Sequence, residues 1–403
     1  MIKVLTISNC RIISMEDPVI ECGAIEIEGT KIAAIHTLPP RRHGSNVLDA
    51  EGLTAIPGMG QMHGHITAYM HTMDTAPVNA QPHTLKAIQA TAFARNALHA
   101  GITMWRDIGG HAHIDLQLKK AINLGLVPGP RMLACGRWLG HSGGHGSGLS
   151  ESVDGVEALR RAVREQIAAG ADGIKLIASG GVMQATEDPF AMEYTEEELE
   201  AAVDEARKAG RWVTVHSHPA VATRAAVKAG VRSIEHATEL PNDVVDLLIA
   251  RGVYIVPTFA AYWKLSQEGR EIGLDPGLVD IARRVWDRKI EYFMNAARAG
   301  VKFATGTDTG APRVFHHELA LELELMVQVG LSPEQALRAA TISCAELMGW
   351  ADTLGTLTRG KEADIVLLEG HPLEDISATR RVRHVFKAGK HYTPEPPVAP
   401  LPW

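Results

Sequence analysis

A chain of 403 residues, 45% of them hydrophobic and 22% charged, is long enough for one large core with an appendage and reads as a globular protein. Its formal net charge of -7 provides no basic patch for nucleic acid, and no stretch approaches the apolar length of a membrane span. Cys10, Cys22, Cys135 and Cys344 lack CxxC spacing, so reduced thiols of a cytoplasmic protein are expected rather than disulfides.

From the N-terminus, short β-type runs alternate with turns: Val4 to Ile7, Ala24 to Glu28, Lys31 to Ile35 and Leu53 to Ile56. The opening segment is too short and too interrupted for a signal-peptide apolar stretch and reads as a strand, which fits a cytoplasmic location. The same style returns at Ile365 to Leu368 and Arg383 to Lys387, punctuated by Gly355, Gly360 and Gly389. Two β-rich ends around a different middle predict that residues 1–56 and 353–392 fold together as one small β-sandwich. A Pro-rich extended tail, 393–403, follows.

The middle, 57–352, repeats strand, loop, helix. The expected strands are Thr54 to Met62, Ile102 to Asp107, Arg131 to Trp138, Gly173 to Ala178, Trp212 to His216, Ser233 to His236, Val253 to Thr258 and Lys302 to Asp308. Helices are expected at His83 to His99, Val153 to Ala169 and Thr195 to Ala209, the last opening with the capping box Thr195-Glu-Glu-Glu198. Ala-Gly pairs such as Ala169-Gly170, Ala229-Gly230 and Ala299-Gly300 mark helix stops before buried strands. Eight such units predict an α/β chain whose middle is a (β/α)8 TIM barrel, rather than an open doubly wound sheet.

A barrel aims the C-terminal ends of its strands at one mouth, so the residues found there are a functional test. Strand one ends in His63 and His65, which share a face because alternate strand residues point the same way. Strand four carries Lys175, strand five ends in His216, strand six in His236 and strand eight in Asp308. Any one histidine alone would pass for a hydrogen-bonded core residue, and a lone lysine for one that snorkels. Four imidazoles, an amine and a carboxylate at one mouth point to a metal site.

Several stretches then carry a resemblance. The run Pro57-Gly58 to His65, the strand Gly173-Ile-Lys175 to Gly181, Thr305-Gly-Thr-Asp308, and the ending Gly355 to Asp364 resemble the amidohydrolase superfamily over nearly the whole chain, in its binuclear-metal subtype. The Ser142-Gly-Gly-His145-Gly loop and the stretch from Ser179 to Tyr194 resemble its Xaa-Pro and Xaa-Arg dipeptidase, carboxypeptidase-like branch. Gly58-Met-Gly-Gln61 departs from the more usual Gly-Leu-Ile-Asp before the first histidine. The resemblance implies that Lys175 reacts with carbon dioxide to give an anionic carbamate that bridges two divalent ions. His63, His65 and Asp308 would hold one ion, His216 and His236 the other, with a hydroxide between them. Zinc is the default for so imidazole-rich a set. A homo-oligomer is also implied.

The expected reaction is hydrolysis of a C–N amide bond in a dipeptide, an N-acyl amino acid or a related aryl amide by the metal-bridging hydroxide. Asp308 would act first as general base and then as general acid. His145, on its Gly-rich loop, and by resemblance Tyr194 would donate to the carbonyl oxygen. A substrate carboxylate would meet His218, Arg106, Arg137 or Arg313; His218 and Arg313 are taken as the substrate-binding pair, Arg313 because it follows Asp308 in the last loop. Met70, Met73, Tyr262 and Trp263 in the inserts after strands one and seven either pack those loops or face an apolar or aromatic substrate. Three rival readings fit these residues less well. A mononuclear deaminase calls for a glutamate soon after His216, where Ser217, His218 and Pro219 stand. An imidazolonepropionase-like cyclic amide hydrolase does not call for Lys175. A non-catalytic scaffold has no reason to keep all six positions.

Overall fold

The computed structural model describes residues 4–38 and 46–399. Met1 to Lys3 of the expected first strand and the last four residues of the Pro-rich tail lie outside the described residues.

Both ends of the chain enter one eight-stranded sheet. Along its path run Lys390–Tyr392, Val382–Lys387, Ile365–Leu368, Thr54–Pro57, Val4–Ile12, Ile20–Glu28 and Lys31–His36, while Val47–Asp49 pairs Val4–Ile12 from the side. The link between the two ends is the antiparallel register Ile365↔Pro57 to Leu368↔Thr54. These strands alternate apolar and polar residues, and the buried set, including Ile7, Ile25, Ile365, Leu367 and Phe386, forms a core of its own.

The middle contains two parallel sheets. One orders Met59–Gly64, Ile102–Asp107 and Arg131–Ala134. The other orders Glu151–Ser152, Leu139–Gly140, Gly173–Ile177, Trp212–Ser217, Ser233–His236, Tyr254–Val256 and Lys302–Phe303. Single backbone bonds cross both seams: Met62 N–H donates to the Thr305 carbonyl (2.8 Å), Asp308 N–H to the His63 carbonyl (3.0 Å), and Asp172 N–H to the Ala134 carbonyl (2.8 Å). Among the described residues no helix is long and apolar enough to cross a membrane.

Three strands differ from their patterning, one by a division and two by ending early. Strand one is divided at Gly58, whose N–H donates to Asp364 (2.9 Å), whereas Met59 N–H donates to Gly101 (3.0 Å). Thr54–Pro57 therefore belongs to the terminal sheet and only Met59–Gly64 to the parallel one. The Arg131 strand stops at Ala134, and the Lys302 strand at Phe303. Ala304 to Asp308 nevertheless continues along the first strand through the seam bonds above, and this run delivers Asp308.

The helices follow their patterns closely. His83–His99 has the expected bounds. Glu196–Lys208 is capped by Thr195, whose hydroxyl accepts from Glu198 N–H, and buries Leu199, Ala202, Val203 and Ala206 at the i, i+3, i+4, i+7 spacing of one helix face. Pro276–Ala299 ends at Gly300, whose φ of 96° reverses the chain into the Lys302 strand. The insert after strand seven is not a loop: Phe259–Gln267 is a helix whose first N–H groups, on Phe259 and Ala260, donate to the buried Glu322 carboxylate at 2.9 and 2.7 Å.

Candidate metal centre

The six side chains singled out at the strand ends line one cavity, which holds about 770 Å³ of space unfilled by atoms. His63 and His65 bring their Nε2 atoms to 3.2 and 3.3 Å from Asp308 Oδ1. Ligand atoms of these three residues all lie within 4.8 Å of one another. The His216 and His236 rings sit 4.5 Å apart, and His236 lies 4.9 Å from His63. Lys175 is 1% exposed and lines the same cavity.

Each imidazole has one nitrogen engaged away from the cavity, which leaves the other for a ligand. His65 Nδ1 lies 2.9 Å from the Gly109 carbonyl, His236 Nδ1 2.7 Å from Thr258 Oγ1, and His216 Nε2 3.0 Å from the Gly180 carbonyl. His63 Nδ1 approaches Glu235 Oε2 to 2.9 Å, an ion-pair contact rather than an aligned hydrogen bond. Outer partners of this kind fix ring orientation and tautomer in metal sites. His236, Thr258 and Asp308 also have φ of 70°, 53° and 61°, a left-handed backbone that non-glycine residues rarely adopt and that clusters at functional sites.

Electrostatics suit cation binding. Burial, aided by neighbouring imidazoles and Lys175, holds His216 well below its ordinary value and so neutral, the ligand form. Burial does the same to His236, with His216 and His63 adding to it. Burial works against a charged Asp308, but the His63 and His65 imidazoles outweigh it and hold the carboxyl well below its usual range. Burial pulls Lys175 down to about 8, opposed by the carboxylates of Glu235 and Asp308, so a reactive neutral amine is accessible near neutral pH.

The profile of the Amidohydrolase family matches residues 54–391. The chain belongs to this family. It is 34% identical over 333 residues to the ochratoxinase of Aspergillus niger, a match covering 73% of this chain but only 66% of that enzyme's length. Its structure is similar to a Xaa-Pro dipeptidase with bound methionine in the active site, at a TM-score of 0.91 and 31% identity over 97% of this chain and 100% of the other. It is likewise similar to a prolidase complexed with N-methylphosphonate-L-proline, at a TM-score of 0.89 and 32% identity over 98% of this chain and 100% of the other.

Not every expected amidohydrolase site residue reaches the cavity. His145 does: its ring stacks 4.5 Å from His216, and its Nδ1 lies 2.7 Å from Glu187 Oε2. Gly181 makes this packing possible, since a Cβ there would lie 2.2 Å from the His145 ring. Tyr194 is a correction. Its hydroxyl donates to the Val153 carbonyl at 2.9 Å, and the residue is absent from the cavity wall, so it has no proton to offer there. Arg313 is also outside the wall, half-exposed and turned toward Glu268. His218 lies behind the wall with both nitrogens engaged, Nδ1 by Thr238 (2.7 Å) and Nε2 by the Tyr262 hydroxyl (2.9 Å). Arg106 is buried on Met62, Ser233 and Glu235, and Arg137 pairs with Glu151. Of the aromatic and methionine candidates, Met70, Met73 and Tyr262 line the cavity and Trp263 does not.

Sequence reasoning missed Glu235. It is fully buried, accepts from Arg106 (2.6 Å), Ser233 (3.0 Å) and Thr214, and contacts His63. Burial alone would raise its pKa, but Arg106 and His63 win and keep it ionised. The signal was present: Ser233 and Glu235 alternate in a short strand, so both face the barrel side, and a carboxylate there needs a reason. Gln61, the residue that departs from the family's usual acid, ties the first strand to the last, with its Nε2 2.6 Å from Thr307 Oγ1 and its Oε1 accepting from Thr307 N–H at 2.9 Å.

Proposed function

We propose that the protein is a metal-dependent hydrolase that cleaves a C–N amide bond in a dipeptide, an N-acyl amino acid or a related aryl amide. The observation that carries this reading is the convergence of four pre-oriented imidazoles, Lys175 and Asp308 on one cavity. The donor set fits divalent cations, zinc being the default for so many nitrogens. On this reading His63, His65 and Asp308 would hold one ion and His216 and His236 a second, with Lys175 as its carbamate completing the set. Bound there, the ions supply Lewis acidity and an activated water.

The chain's own residues do the rest. Asp308 Oδ1, kept ionised by His63 and His65, takes the proton of the attacking water and passes it to the leaving amine nitrogen. His145, held at Nδ1 by Glu187, donates from Nε2 to the substrate carbonyl oxygen when its ring carries both protons. Met70, Met73 and Tyr262 exclude water and receive the apolar part of the substrate. The two parallel sheets are inferred to close as an eight-stranded barrel over 57–352. Residues 1–56 and 353–392 then form the companion β-sandwich domain.

A panel of N-acyl amino acids, dipeptides and aryl amides, offered to zinc-loaded protein, tests this function. Release of free amine from at least one class is expected. Turnover of cyclic amides or deamination of bases, with none of the panel cleaved, would contradict it.

A further inference from the structure

The candidates for a substrate carboxylate that the sequence suggested all lie outside the cavity wall or are paired elsewhere, which leaves the question of what receives that group. Besides the ligand atoms of the six candidate residues and His145 Nε2, which the proposed reaction already uses, one residue in the wall has an unspent polar atom. His111, in the loop after the Ile102–Asp107 strand, lines the cavity, and its Nε2 is buried with no hydrogen-bond partner among the described residues. The other polar side chains around it are committed: the Tyr262 hydroxyl meets His218, and His145 Nδ1 meets Glu187.

Thr67 can stabilise the tautomer of His111 that leaves a donor for a ligand. Thr67 Oγ1 accepts from the His111 backbone N–H at 3.0 Å and lies 3.3 Å from His111 Nδ1. Oγ1 has one proton and a second lone pair; when it gives that proton to Nδ1, the ring proton sits on Nε2, the atom left without a partner. The ring remains neutral. Burial, with Lys86, His65 and His83 nearby, pulls it down to about 4. Lys86, 1% exposed and without an ion pair among the described residues, is one of the charges felt by the His111 ring. The wall beyond is apolar, with Met70, Leu149, Val182 and Leu265, and its other charged members, Lys175 and Asp308, are at the metal end.

We propose that His111 is a specificity-determining residue, donating from Nε2 to the carboxylate of an N-acyl amino acid or dipeptide whose side chain is apolar. This rests on the amide-hydrolase reading above and adds the substrate class. A hydrogen bond to a charged acceptor in a buried site is strong enough to shift selectivity about tenfold or more.

The test compares metal-loaded protein on N-acetyl-L-phenylalanine and on N-acetylphenethylamine, which differ only in the carboxylate. Wild-type protein is expected to favour the acid in kcat/KM. The donor-free His111→Phe variant is expected to lose that preference about tenfold, mostly through KM, and His111→Gln, which keeps an N–H donor, to recover part of it. Should the Phe variant not fold, Thr67→Val, which frees the tautomer, is expected to lower the same ratio to a smaller extent. An unchanged ratio in these variants, or an equal loss on both substrates, would overturn the proposal. If wild-type protein cleaves neither compound, the hydrolase reading fails on this pair. Calorimetric binding of N-acetyl-L-phenylalanine still decides on His111: weakening in the Gln and Phe variants supports the contact, and identical affinity refutes it.

Discussion

Two regions of this molecule are built from short strands with opposite interiors. The terminal sheet buries Ile7, Ile25, Ile365, Leu367 and Phe386 against one another, and its stability is that of apolar area removed from water. The centre of the parallel sheets buries Lys175, Thr214, His216, Ser233 and Glu235 instead. There, polar side chains bond to one another: Thr214 to Ser233 at 2.8 Å, Ser233 to Glu235 at 3.0 Å, and Arg106 to Glu235 at 2.6 Å. A polar interior of this kind contributes less to stability than an apolar one and fixes side-chain direction more tightly. The difference teaches that one region holds the ends of the chain together while the other keeps six side chains aimed at one point.

The largest break in that contrast should come from Lys175→Ala. Turnover is expected to fall on the order of a thousandfold with the fold retained, and short carboxylic acids such as acetate should restore part of it by supplying the missing anion. Steady-state kinetics with and without acetate, beside a circular-dichroism spectrum, check this; full activity would end the carbamate idea. Next comes a matched pair. Glu235→Gln leaves Arg106 buried without its counter-charge and should cost about 3–5 kcal/mol in urea unfolding as well as turnover. Phe386→Ala, in the other core, should cost about 3 kcal/mol and leave kcat/KM within twofold. The pair also differs in pH response. Glu235 is held below its ordinary value of 4.5, so its charged form favours the folded state. That contribution is present above pH 4.5 and is lost as the pH falls toward its folded-state value; Glu235→Gln should remove this share of the acid sensitivity, and Phe386→Ala should not.

The same contrast explains what could be read from the chain. His83–His99 and the Thr195 capping box were legible because local periodicity and a local hydrogen bond decide them. The six residues that meet at the cavity were legible because strand ends are marked by apolar runs that stop at polar residues. The division at Gly58 was not, since it depends on a change of partner from Asp364 to Gly101, both remote in sequence. Nor was the fate of Tyr194, whose hydroxyl is claimed by a backbone carbonyl 41 positions away. Glu235 and His111 belong to the same class: their roles come from Arg106, Thr67 and the cavity wall, none of which a neighbouring residue announces. Family resemblance supplied the expected ligand set and misdirected the reading where this chain's own packing decides, as at Tyr194 and Arg313.

The central claim is that these six residues hold a pair of divalent ions. Elemental mass spectrometry of the purified protein tests it most directly. Two ions per chain are predicted for the wild type, with fewer in Lys175→Ala and in His216→Ala. One ion per chain in all three proteins, or none, would contradict the account.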